Sequence, residues 1–180
     1  GHKPTWGIIR SRGALWPGQI CEDDLCVSGP LARSADDLEL ALKIMAGADQ
    51  QEAVGWTLDL PPPRQQTLAD FKVGVMLTNP NCTQDDALTE QLQRTVDALA
   101  AAGVQVDDGA RPDIDTKDAF ETYLLLLRSA TGAHAEPEAF AAFCQRAEAA
   151  TEADKSYHNL VDRGVALRHH HWLKLNEKRY

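Results

Sequence analysis

Three consecutive histidines near the end of the chain are the residues whose type points most directly to metal chemistry. His169, His170 and His171 lie in a segment whose pattern predicts a helix, and successive side chains on a helix point about 100° apart. Three histidines in a row therefore cannot converge on one ion. A helical ligand pair needs a spacing of four residues, which none of the six histidines has. We expect no metal site and no cofactor.

The cysteines are the next candidates for metal or redox chemistry. The chain has four, Cys21, Cys26, Cys82 and Cys144. Only the first two are close in sequence, and no second pair completes a zinc site. We expect reduced, mostly buried thiols in a cytoplasmic protein.

No group of residues suggests a nucleophilic or acid–base centre. The adjacent acids at 23–24 and 107–108 are typical of solvated turns, and Tyr157 and His158 have no acid in helical register to form a triad. The chain contains no G-x-S-x-G motif and no Gly-Gly or Ser-Ser dipeptide, so the common hydrolase loops are missing. We therefore assign no catalytic residue.

Composition bounds the class of protein. The 180 residues suffice for one domain, and 43% hydrophobic with 25% charged residues is ordinary for a globular chain. A net charge of −9 disfavours a nucleic-acid partner. No apolar run is long enough to span a membrane, so we expect no membrane partner.

The first half of the chain contains a loop, a helix and a strand–helix–strand unit. Residues 1–9 read as a turn and a short strand, and residues 11–30 as a long ordered loop. Ser34 predicts the start of a helix that ends at Gly47. After a connector at 48–70, alternating apolar residues predict strands at 71–77 and 104–106 around a helix at 85–102, which makes the strands parallel.

The second half is helical to its end. A first helix presents an apolar face, a second spans about 137–150, and a third runs from about Ser156 to Tyr180. The apolar face of the first comprises Ala119, Phe120, Tyr123, Leu124 and Leu127. Because the pattern lacks a stop signal at Tyr180 and the chain begins without Met, we interpret it as a fragment of a longer protein.

Three blocks of the sequence resemble the amidase signature family of serine amidohydrolases. Residues 1–7, GHKPTWG, are similar to the family's G-x-K-P-T-x-G. Residues 29–34, GPLARS, with Asp37 and the helix up to Gly47, are similar to its second block. The strand–helix–strand unit at 68–106 is similar to the third. Together the blocks cover about residues 1–110.

The resemblance implies a Ser nucleophile, a second Ser held by a cis peptide, and a neutral Lys that acts as the base. In the family these groups lie before the K-P-T block, which here is residues 3–5. Lys3 matches the structural lysine of that block and not the catalytic one. The resemblance therefore carries no catalytic residue onto this chain.

The residues that we expect at the rim of the substrate pocket are Trp6, Trp16, Pro17 and Ile20. The loop at 11–30 follows the region that leads away from the active site, and apolar side chains usually line such pockets. Local core packing is the alternative for these residues. For Arg33 and Asp37 we expect a structural pair around the helix start and not a substrate clamp.

The expected fold is α/β, as part of an incomplete α/β/α layered mixed sheet of the amidase signature type with a helical C-terminal part. The whole of 1–180 would be one fragment of an amidase domain, with segments at 1–47, 48–70, 71–110 and 111–180. The parent would hydrolyse a small-molecule carboxylic amide, and the fragment alone would be inactive. The alternatives are an A-type subunit of a tRNA-dependent amidotransferase and a non-catalytic scaffold. Self-association through an exposed sheet edge is expected.

Overall fold

The computed structural model describes residues 1–12, 14, 17, 19–22, 24–79, 82–151 and 153–180. The chain divides into two compact units. Unit 1 comprises Gly1–Pro61 with Ala130–His134, and unit 2 comprises Pro62–Ser129 with Ala135–Tyr180.

Unit 1 is built around helix α1, Ala35–Met45. The Ser34 hydroxyl accepts a hydrogen bond from the Asp37 N–H at 3.1 Å, as the capping pattern predicts. The helix ends before Gly47, whose φ of 132° lies in a region that L side chains rarely adopt. The Gly47 N–H donates to the Ile8 carbonyl at 2.8 Å, which fixes the end of α1 on the first segment of the chain.

The prediction of a short strand within residues 1–9 is wrong. This segment, all of it within the described residues, forms a turn at Trp6–Gly7 and no β-ladder. A strand requires a neighbour for its backbone N–H and C=O groups. Here single backbone bonds join His2 to Pro30 and Ile8 to Gly47, and the Ile8 N–H donates to Thr5 within the segment.

Unit 2 contains the predicted strand–helix–strand arrangement with shorter strands. Strand β1, Lys72–Gly74, pairs in parallel with β2, Gln105–Asp107, and Val73 lies opposite Val106. Helix α2, Asp86–Ala101, connects them and starts at the Asp85 cap, whose carboxylate accepts from the Ala87 and Leu88 N–H groups.

Four further helices follow: α3 (Thr116–Gly132), α4 (Pro137–Ala149), α5 (Tyr157–Val165) and α6 (His169–Lys178). They belong to unit 2, except that the last three residues of α3 are assigned to unit 1. The prediction of one continuous helix from Ser156 is therefore wrong. Backbone angles turn extended at Arg168, with ψ 141°. Gly164 near the end of α5 weakens the helix there, because glycine costs about 1 kcal/mol relative to alanine.

The core of unit 2 includes Leu124, Leu126 and Leu160, together with Val104. Asn159 is also buried, and its amide donates to the Asp154 carbonyl at 2.5 Å. The predicted apolar face of α3 is partly wrong, since Phe120 is 39% and Tyr123 52% exposed. This helix is apolar on most sides, so periodicity alone could not select the face that is buried.

The chain leaves much apolar surface open to solvent. It exposes 13507 Å², whereas two separately compact units of this combined length would expose together about 10,000 Å². Neither α1 nor α2, both fully described, has a buried residue. Leu40, Ile44 and Leu88 are each at least half exposed.

We expect the isolated chain to associate with itself at tens of micromolar. Exposed apolar helix faces and two strands paired only with each other among the described residues favour such contacts. Light scattering should give a mass above that of one chain, and L40K/I44K on α1 should reduce it. A clean monomer with a cooperative melting transition would contradict the expectation.

Candidate functional site

The motif blocks at 1–7 and 29–34 lie against each other in unit 1. The His2 N–H donates to the Pro30 carbonyl at 3.0 Å. Pro4 and Pro30 are both buried. A Cβ placed on Gly29 would lie 2.2 Å from the His2 carbonyl oxygen and 2.8 Å from Pro4 Cδ. The GHKP and GP segments therefore cross at a distance that only glycine permits.

A cluster of five charged side chains closes the loop at 11–30 onto the connector. We call it the loop clamp; its members are Arg10, Arg12, Glu22, Asp49 and Glu52. Arg10 pairs with Glu22 at 3.1 Å and donates to Glu52, and Arg12 donates to Asp49. Four of the five side chains are no more than 25% exposed. The clamp therefore ties Arg10 and Arg12 to the connector, and Glu22 to Arg10.

No pattern in the sequence predicts the loop clamp. Its partners stand up to 42 residues apart, and no local periodicity links them. The one local signal was Asp49, whose carboxylate also accepts from the Gln51 and Glu52 N–H groups at 2.9 and 3.0 Å, as turn-forming aspartates do.

The predicted rim residues lie on the surface of unit 1. Trp6 is 51% and Ile20 80% exposed, and Pro17 is exposed as well. The alternative that these three residues form local core is therefore wrong. Trp16 lies outside the described residues.

The structure corrects two further sequence-based expectations. Arg33 and Asp37, which are both described, form no ion pair; the Asp37 backbone is held instead by Ser34. The cysteines are not mostly buried, since Cys21, Cys26 and Cys82 are exposed and Cys144 is half-buried. Among the described residues, no group of three or more His, Cys, Asp or Glu side chains is placed to hold a metal ion.

The loop clamp predicts a pH dependence at Asp49. The hydrogen bond from Arg12, followed by those from the Glu52 and Gln51 backbone, holds the pKa of the Asp49 carboxyl below its ordinary value. A carboxyl whose pKa is lower in the folded state stabilises the fold above its unfolded pKa, about 3.9. That contribution is lost as pH falls through the folded pKa.

We expect Arg12→Gln to raise the pKa of Asp49 toward its ordinary value in an NMR titration of the carboxyl carbons. Asp70, in unit 2, is the matched control, because its pKa is lowered by hydrogen bonds from the Thr67 backbone and side chain and not by an arginine. An unchanged Asp49 pKa in the variant would show that Arg12 does not engage it in solution.

The fold is mixed α/β, and the two motif blocks pack against each other in unit 1. The amidase family profile matches residues 1–179. The chain belongs to the amidase family.

Several curated relatives share one name, that of the A-type subunit of glutamyl-tRNA(Gln) amidotransferase. The protein from Salinibacter ruber is 30% identical over 70% of this chain and 24% of its own length. That from Corynebacterium diphtheriae is 28% identical over 71% and 26%, and that from Deinococcus radiodurans 30% over 64% and 23%. The chain thus spans about a quarter of the curated relatives it matches. No solved structure matches it.

A helix spans a membrane only if it is about 20 residues long and largely apolar. Within the described parts of the chain, no helix is both long and apolar enough to cross a bilayer.

Proposed function

We propose that this chain is part of an amidase-signature enzyme that hydrolyses a small-molecule carboxylic amide to a carboxylate and ammonia or amine. The observation that carries the proposal is the family match over residues 1–179, together with the close packing of residues 1–4 on 29–30. The reactive serines and lysine belong to a part of the protein outside these 180 residues. The chain alone is inactive.

In this proposal the whole of 1–180 is one fragment of an amidase domain, and its role is to build scaffold and pocket wall. The parallel pair of β1 and β2 is a piece of a larger layered α/β/α sheet. Two features support this: the pair is only three residues long in each strand, and the faces of α1 and α2 are uncovered.

The same proposal places Trp6, Trp16, Pro17 and Ile20 at the rim of the substrate pocket. Solvent exposure of Trp6 and Ile20 supports it, because exposed apolar side chains can contact a ligand and usually line such pockets. The loop clamp would hold the loop that carries Pro17 and Ile20 in one position.

A second candidate function is the A-type subunit of a tRNA-dependent amidotransferase. The observation that favours it is the shared name of the relatives from Salinibacter ruber, Corynebacterium diphtheriae and Deinococcus radiodurans. Such a subunit would work with partner proteins. A non-catalytic scaffold remains the third alternative.

The deciding experiment expresses the complete gene product that contains this chain. An amidase releases ammonia from simple amides without a partner. The amidotransferase component releases it from glutamine and amidates glutamyl-tRNA only with its partner proteins. A complete protein that does neither, with or without partners, is a scaffold, and ammonia released by the 180-residue chain above a boiled control contradicts the proposal.

A further inference from the structure

A cavity in unit 2 has the chemical character of a ligand site. It lies among α3, α4, α5 and α6, has a volume of about 550 Å³, and falls within the range of small-molecule pockets. All of its lining residues belong to unit 2. It is independent of the two motif blocks and the loop clamp, which belong to unit 1.

The floor of the cavity is apolar. Its side chains are half-buried and come from three helices and the α5–α6 connection. They are Leu125, Cys144, Ala147, Ala166, Leu167 and Leu175. A floor of this kind excludes water and takes a flat or short apolar group.

The rim of the cavity is cationic. Arg168 lines the cavity from the N-cap position of α6, and Lys174 lines it from the helix itself, one turn after His171 on the same face. Arg163 enters from the last turn of α5. Among the described lining residues Glu148 is the one acid. This concentration of positive charge stands in a chain whose net charge is −9.

The titration of a neighbouring histidine agrees with a positive potential at this rim. The pKa of His170 is held below its ordinary value, first by His171, then by burial, and further by Lys174 and Arg168. The same field that disfavours a proton on His170 attracts an anion.

We propose that this cavity binds a small organic anion, with its carboxylate or phosphate at the Arg168–Lys174 rim and an apolar body of about one ring on the floor. Arginine and lysine donate charge-assisted hydrogen bonds to either head group. Both side chains are free to do so without loss of structure, because Arg168 makes no side-chain capping bond to α6 and Lys174 is exposed.

Calorimetric titration of the full 180-residue chain with benzoate and with phenyl phosphate tests the proposal. At least one should bind, and benzamide, which lacks the charge, should bind at least about tenfold more weakly, as should inorganic phosphate, which lacks the ring. R168A/K174A should lose about tenfold or more in affinity. Ala147→Leu, which fills the floor and keeps the charges, should also weaken binding.

The matched control is R64A/K117A, which removes the same charge from exposed positions of unit 2 outside the cavity. It should change affinity by less than about twofold. Circular dichroism checks that every variant keeps its helices. The proposal is overturned if neither ring compound binds, if the two double variants lose affinity equally, or if inorganic phosphate binds as tightly as phenyl phosphate.

Discussion

Gly29→Ala is expected to destabilise unit 1 by about 3 kcal/mol or more, the range of overpacked or strained sites. The added Cβ would stand 2.2 Å from the His2 carbonyl oxygen and 2.8 Å from Pro4 Cδ. These neighbours are a backbone atom and a ring atom, which cannot rotate away. The crossing must open, and the His2–Pro30 hydrogen bond breaks with it.

Hydrogen exchange measured by mass spectrometry detects this local destabilisation. In the variant, the hydrogen-bonded amides of Ile8, Ser11 and Gly47, the last of which bonds to the Ile8 carbonyl, should exchange at least about a hundredfold faster. Gly55→Ala is the control in the same unit, because its Cβ would meet nothing closer than the Glu52 carbonyl oxygen at 3.6 Å. Equal exchange in both variants would refute the close crossing.

Gly164→Ala is expected to destabilise unit 2, against the direction that helix propensity predicts. Glycine to alanine within a helix normally stabilises by about 0.5–1 kcal/mol. Here the Cβ would lie 2.5 Å from Arg128 Cβ and 3.0 Å from the Leu125 carbonyl oxygen, both on α3. Separation of α5 from α3 at this buried point should cost about 2–4 kcal/mol.

Urea unfolding followed by circular dichroism at the helical band measures the change. The sign of the change in the free energy of unfolding is the test, since helix propensity predicts a more stable variant and steric contact predicts a less stable one. Gly109→Ala serves as the control in unit 2: its Cβ would approach only the end of the Asp107 side chain, at 3.3 Å. A more stable Gly164→Ala variant would mean that α5 does not approach α3 this closely.

The helix signals in the sequence held because they are local. Ser34 caps α1 as predicted, and the helices predicted at 85–102 and at about 137–150 lie at Asp86–Ala101 and Pro137–Ala149. The parallel pairing of β1 with β2 followed from a helix between two short apolar runs. Each of these features depends on residues within a few positions of one another.

Other sequence predictions failed where distant neighbours decide the outcome. The strand expected within residues 1–9 did not form, because a strand exists only by pairing with another segment. The helix expected from Ser156 to the end divides at Arg168. Leu126 is buried and Phe120 is exposed. In a helix that is apolar on most sides, the neighbouring elements determine which face is buried.

By itself the sequence determined the family, through motif blocks at 1–7 and 29–34, and the positions of most helices, through caps and apolar spacing. Only the tertiary structure decided that those blocks cross at Gly29, that Arg10 and Arg12 reach Glu52 and Asp49, and that Arg168 and Lys174 line the cavity in unit 2. The physical reason is range: capping and periodicity act over one or two helical turns, whereas contacts between segments tens of residues apart are set by how the whole chain packs.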